Sequence, residues 1–192
     1  MIALASFYKN FLERPRLGLL PADTFRLVLG AGNGVTAAHL MCTFVNSGAR
    51  SGVLQHLEAE ITPPGRTPDS FVWDQFFKYR EGGYSFEKIA DPHPIAVAAR
   101  QSTVLFVQLR PEDGKHRFDW SGGRYRVAVT GWVNRASRKQ RHHFTVSFHF
   151  VVPEMEAVDF RNKFHDEPTV KAFAVVEWQR EEPPDPLAQD SA

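Results

Sequence analysis

Cysteine is nearly absent from this chain: its 192 residues include one, Cys42, so no intramolecular disulfide can form. The chain also lacks any run that approaches the roughly 20 apolar residues needed to span a bilayer. The apolar start, residues 1–6, is too short for the core of a signal peptide. These absences predict a cytoplasmic protein. Residues 8–16 mix aromatic and basic side chains, so any membrane association would come through this N-terminal segment, with the chain as the soluble part.

An excess of charge of one sign is missing too, as are the usual motifs of catalysis. The formal net charge of +1 provides no overall field that would recruit nucleic acid, and no specific nucleic acid is predicted as a partner. The sequence contains no HxH, HExxH or clustered-cysteine pattern, so we predict no metal and no cofactor; a cross-strand pair of His39 and His56 is the remaining alternative. The glycine-rich stretch at 30–34 is not followed by a predicted helix, which a dinucleotide-binding site requires. The sequence therefore predicts a protein that is not an enzyme; the alternative is an enzyme whose titratable groups converge only across strands of the fold.

A glycine turn followed by a tyrosine and alternating valines is the most informative feature present. Gly122 and Gly123 precede Tyr125, and Val127 and Val129 follow at every second position. Period-two alternation is typical of a half-buried strand. A tyrosine at the start of such a strand favours a tyrosine corner, in which the phenol oxygen bonds upstream backbone. The pattern predicts re-entry into an antiparallel sandwich.

Similar alternation and turn residues recur along the chain. Strands are predicted at 24–30, 39–46, 53–61, 103–109, 124–133, 144–152 and 169–178, with one or two more in the aromatic segment 71–86. Sixteen phenylalanines favour a sheet-rich core. A short helix is predicted at 6–14, ended by Pro15, and a second short helix at 154–164.

No internal linker divides the chain. We therefore expect an N-terminal helix or extension at 1–20 and a single β-sandwich domain at 21–180. The acidic, proline-rich tail at 181–192 is predicted to be disordered. The expected fold is mainly β: an antiparallel Greek-key β-sandwich with a short N-terminal helix and peripheral helical turns.

Two stretches resemble immunoglobulin-like or fibronectin-like sandwich domains: CTFVNSGARSGVL at 42–54 and SGGRYRVAVTGWV at 121–133. The resemblance extends over residues 24–152. It departs from antibody domains because the inter-sheet cysteine pair is absent, with Val127 where the second cysteine would lie. The resemblance implies a scaffold that binds proteins or sugars through loops or edge strands, and such a scaffold does not fix function.

The first candidate binding segment is the polar turn at 135–143, between the predicted strands 124–133 and 144–152. Its cations are Arg135, Arg138, Lys139 and Arg141. Clustered cations on one turn would suit an anionic ligand or an acidic protein surface. The alternative is a loop whose charge simply keeps it soluble.

The second candidate is the aromatic segment 71–86, in which Trp73, Tyr79 and Tyr84 would meet a sugar or a partner protein. The alternative is a core strand. Glu58 and Glu60 share one strand face about 7 Å apart, and a solvated face explains them better than a catalytic pair. We therefore expect a non-enzymatic domain that binds a protein partner or a second copy of itself, the alternative function being a carbohydrate or small-ligand module.

Overall fold

A computed structural model of the chain describes residues 15–29, 35–80, 86–112, 121–133, 144–162 and 169–181. Its elements are β1 Leu17–Leu29, β2 Val35–Asn46, β3 Gly52–Thr62, β4 Asp69–Tyr79, β5 Phe86–Ala90, β6 Ile95–Val97, β7 Ser102–Pro111, β8 Gly123–Val133, β9 Phe144–Val152, α1 Glu154–Asn162, β10 Thr169–Ala174 and β11 Val176–Glu181. The mainly β fold is confirmed. The predicted helix at 6–14 and almost all of the predicted tail lie outside the described residues.

The strands form one antiparallel sheet in the order β10-β1-β2-β7-β4-β3-β8-β9-β11, with β5 paired to β4 and β6 paired to β3. The sheet curls so far that it is nearly a barrel. Phe25 of β1 meets two rings of β9, Phe148 and Phe150, each with a centroid distance of 5.4 Å. Such contacts between distant strands in the sheet order place the core inside the curl.

The core is built from the predicted alternation. On β8, Tyr125, Val127 and Val129 are fully buried, and on β2 the alternating Leu40, Cys42 and Phe44 face the same interior. Burial raises the pKa of the Cys42 thiol far above its ordinary value, so this side chain behaves as a small apolar group.

The predicted hydrogen bond of the tyrosine corner is confirmed. The Tyr125 hydroxyl donates to the Ser121 carbonyl at 3.0 Å, and the Ser121 N–H donates to the same phenol oxygen at 3.3 Å. The turn needs its glycine because Gly123 has a φ of 134°, and a Cβ there would lie 2.7 Å from Pro64. The corner thus secures the entry to β8.

Strand β1 begins at Leu17, before the expected start of the domain at residue 21. Leu17 and Leu19 are buried in the core, and Pro21 lies opposite Cys42 beside an irregularity in the β1–β2 register. Proline is tolerated at such irregularities because no ladder hydrogen bond is lost there. The predicted strand at 24–30 therefore began too late.

Candidate functional site

An apolar opening lies between β5 and β7, and we call it the β5–β7 groove. It has a volume of about 280 Å³ and is lined by Phe76, Phe77, Ile89, Ala90, His93, Ile95, Val104, Leu105 and Phe106. None of these nine lining residues is an Asp, Glu, Lys or Arg. Ile89, Val104 and Phe106 are 59%, 63% and 36% exposed, which is high for large apolar side chains.

The groove exists because two strands diverge. Strand β4 pairs with β7 from Phe71 to Phe76, where Phe76 lies opposite both Val107 of β7 and Ala90 of β5, and from there to Tyr79 it pairs with β5 but no longer with β7. Strand β7 continues to Ser102 along β2 on its other side. The Phe77 and Phe106 rings, 5.9 Å apart, remain in contact where the strands begin to separate. The outward side chains of β7 therefore lose their neighbours on the β4 side.

A second opening, which we call the Ala128 groove, is polar. It lies on the outer face of β3, β8 and β9, has a volume of about 310 Å³, and is lined by Glu58, Ala59, Glu60, Arg126, Ala128, Thr130, Trp132 and Thr145. Ala128 is directly opposite Glu60 on β3 and Ser147 on β9. The depression forms because Ala128 contributes only a methyl group between longer side chains.

Hydrogen bonds hold the polar walls of the Ala128 groove. Glu58 Oε1 lies 2.8 Å from His56 Nε2, and the Arg126 guanidinium donates to Ser147 Oγ at 3.2 Å. The two hydroxyls of Thr130 and Thr145 are 3.3 Å apart. Carboxylate acceptors thus line the β3 side, whereas donors lie along β8 and β9.

A third feature, the His39 network, is buried under the aromatic segment. His39 is fully buried, stacks on Phe77 at a centroid distance of 4.0 Å, and meets the Phe86 ring edge-on at 4.4 Å. Its Nδ1 lies 2.8 Å from Tyr79 Oη and its Nε2 lies 3.0 Å from Gln108 Oε1.

The outer members of this network decide the tautomer of His39. The Gln108 amide N–H donates to Asp74 Oδ2 at 3.1 Å, and Arg110 pairs with the same oxygen at 3.0 Å. Gln108 therefore turns its carbonyl oxygen to His39, so Nε2 carries the hydrogen and Nδ1 accepts from the Tyr79 hydroxyl. Burial lowers the pKa of His39 to about 4, which keeps the ring neutral. With both nitrogens bonded internally, His39 has none to offer a substrate.

The structure describes two of the seven residues that were predicted to bind ligand. Trp73 is only 6% exposed and belongs to the core, while Tyr79 is half-buried, bonded to His39 and covered by Arg26, whose guanidinium carbon lies 4.3 Å from the ring centroid. Neither presents an open ring. The remaining predicted residues, Tyr84, Arg135, Arg138, Lys139 and Arg141, lie outside the described residues.

The alternative metal pair of His39 and His56 is not brought together. His39 is on β2 and His56 on β3, and the sheet order places β7 and β4 between them. In the described part of the chain, no group of three or more His, Cys, Asp or Glu side chains could hold a metal ion. The same residues contain no helix long and apolar enough to cross a membrane.

The outward residues of β7 were not among the predicted binding residues. Val104 and Phe106 alternate with Leu105 and Val107, so this strand is apolar on both faces. A strand that is apolar on both faces signals either complete burial or an exposed apolar face. The sequence therefore contained the apolar pattern, but it did not show whether the outward face of β7 is buried or exposed.

Comparison with known proteins adds little. No family model matches the chain, and no curated protein matches it. Among solved structures, the chain is similar to β-glucosidase 3B from Thermotoga neapolitana, solved in complex with glucose, at 13% identity and a TM-score of 0.31. The match covers 93% of this chain and 20% of that one, so the chain spans about a fifth of that protein. A likeness this weak carries no argument about fold or function.

Proposed function

We propose that this protein is a non-enzymatic, cytoplasmic interaction domain of the Greek-key, immunoglobulin-like sandwich type, and that it binds a protein partner through the β5–β7 groove. Two groups of neighbouring strands support the sandwich: β1, β2 and β7 in one and β3, β8 and β9 in the other. Phe44 of β2 meets Phe144 of β9 at 6.2 Å, which joins the two groups through aromatic contacts. The tyrosine corner is a further hallmark of such folds.

The observation that carries the proposed function is the uncharged lining of the β5–β7 groove with its exposed apolar rim. Polar or charged ligands would lose hydration there, and of the lining side chains only His93 could form a hydrogen bond with them. An apolar side chain from a partner would instead remove Val104, Phe106 and Ile89 from water. Aromatic residues at the centre of such a patch commonly contribute most of an interface's affinity. Phe106 has this central role in the proposal.

The test compares two variants that each replace an exposed apolar residue with aspartate. Phe106→Asp introduces a charge into the β5–β7 groove, whereas Leu20→Asp does so on β1, where Leu20 is 44% exposed outside the groove. A partner isolated by quantitative affinity capture would be purified and its affinity measured by calorimetry. We expect Phe106→Asp to weaken binding by at least about 30-fold, the scale of an interface hot spot, and Leu20→Asp to leave it unchanged.

A second copy of the chain is the partner to examine first, by light scattering after size exclusion. If the groove binds another copy, the wild type and Leu20→Asp should associate and Phe106→Asp should remain monomeric. The proposal fails if Phe106→Asp binds every purified partner, including itself, as tightly as the wild type does. Circular dichroism would establish that both variants are folded.

Anion binding by Arg135, Arg138, Lys139 and Arg141 stays a separate prediction. So does the carbohydrate function at Trp73, Tyr79 and Tyr84, and the burial of Trp73 does not favour it.

A further inference from the structure

We infer that the Ala128 groove binds a neutral, polyhydroxylated ligand of monosaccharide size. This site is on strands β3, β8 and β9, away from the residues that line the β5–β7 groove, so the inference is independent of the proposed protein partner. It also differs from the aromatic segment in which the sequence suggested sugar binding.

The shape of the groove follows from the small residue at its centre. Successive outward residues on β8 are Trp132, Thr130, Ala128 and Arg126, spaced about 7 Å apart along the strand. Ala128 contributes only a methyl group between longer neighbours. The depression of about 310 Å³ is at the small end of the range for ligand pockets, which runs from about 300 to 1,000 Å³. A single pyranose ring suits such a volume better than an extended ligand.

The polar groups of the groove have partners that fix them in place. His56 holds the Glu58 carboxylate, and Ser147 accepts a hydrogen bond from Arg126. Side chains that are already ordered lose less conformational entropy when a ligand arrives. Glu60, exposed on β3 opposite Ala128, adds a second carboxylate at the centre.

Charges of both signs line the groove, two carboxylates and one guanidinium. An ion of either sign therefore meets a like charge beside an opposite one, Arg126 for a cation and Glu58 and Glu60 for an anion, whereas a neutral ligand meets no like charge. Neighbouring hydroxyl groups can donate to the carboxylates and accept from the guanidinium at the same time, so each wall finds a matching partner. Trp132 and Ala128 line the groove but are each only 8% exposed, so they offer a small apolar contact to the carbon face of a ring.

The experiment is an NMR titration of the folded, ¹⁵N-labelled chain with D-glucose, D-galactose, D-mannose and N-acetyl-D-glucosamine, each into the tens of millimolar. We expect at least one sugar to shift the amide signals of β3, β8 and β9 around Ala128 in a saturable way. Ala128→Leu should abolish saturation because the larger side chain fills the floor. Glu60→Gln should weaken binding about tenfold because it replaces a charge-assisted acceptor. The matched control Asp91→Asn, which alters a carboxylate 81% exposed outside the groove, should bind as the wild type does.

Three results would overturn the inference. The first is the absence of saturable shifts with any of the four sugars. The second is equal affinity in the wild type and Glu60→Gln, a variant that changes no buried residue and so keeps the test valid even if Ala128→Leu misfolds. The third is saturable binding of a zwitterion such as glycine at this groove without binding of any sugar.

Discussion

The pH dependence of folding should reveal the buried, neutral state of His39. The perturbation is the replacement His39→Gln, which removes the titrating ring and keeps a polar side chain between Tyr79 and Gln108. In the folded protein the pKa of His39 is about 4, because burial disfavours the charged ring, and its ordinary value is 6.5. As the pH falls below 6.5, the unfolded chain binds a proton at this position that the folded chain excludes. Stability is therefore lost between about pH 6.5 and pH 4, with no further loss from this group below pH 4.

The magnitude follows from the difference between the two pKa values. The shift from 6.5 to about 4 corresponds to about 3 kcal/mol, at roughly 1.4 kcal/mol for each pH unit. Complete burial of His39 means that solvent screening reduces this figure little. At pH 7 the His39→Gln variant should be less stable than the wild type by about 1–3 kcal/mol, because Tyr79 and Gln108 lose well-aligned partners. Between pH 7 and pH 4, however, it should lose about 3 kcal/mol less than the wild type does.

The assay is urea unfolding followed by tryptophan fluorescence at several pH values for both proteins. Comparing the two cancels the contribution of the carboxylates that both share. His93→Gln, at an exposed position, is the matched control and should show the same pH difference as the wild type. Nitrogen NMR should also show the hydrogen on Nε2 of His39 at neutral pH. Equal losses of stability in the wild type and His39→Gln would refute the reasoning.

Three further substitutions test how the core is joined, each by urea unfolding. Tyr125→Phe should cost about 1–3 kcal/mol, because the Ser121 backbone loses its phenol partner; an unchanged midpoint would mean that the corner contributes nothing. Gly131→Ala should cost about 1–3 kcal/mol, because a Cβ there would overlap the Phe144 ring; wild-type stability would show that the ring moves away freely. Phe25→Ala should cost about 3–5 kcal/mol, because it empties the contact between β1 and β9; a loss under 1 kcal/mol would argue against the closed curl.

Much of the fold could be predicted because a strand is marked by the alternation of apolar and polar residues over a short stretch of sequence. Alternation identified the inward faces of β2, β3 and β8, and the tyrosine after Gly122 and Gly123 predicted the corner that the structure contains. The carboxylates of Glu58 and Glu60 were likewise placed on one outward face, since residues two apart on a strand point the same way.

The candidate sites could not be predicted in the same way. His39, Tyr79 and Gln108 come from three strands that are far apart in the sequence, and only the sheet order brings them within hydrogen-bond distance. The aromatic segment was equally compatible with a binding surface and with a core, and burial decided that Trp73 is interior.

By itself, then, the sequence determined most of the strands, most of their inward faces and the corner, because these depend on neighbours within a few residues. Only the tertiary structure decided where the pairing of β4 with β7 ends and which side chains line the Ala128 groove. Grooves arise from the spacing between strands that are distant in the chain, and the pairing of those strands is a property of the whole sheet.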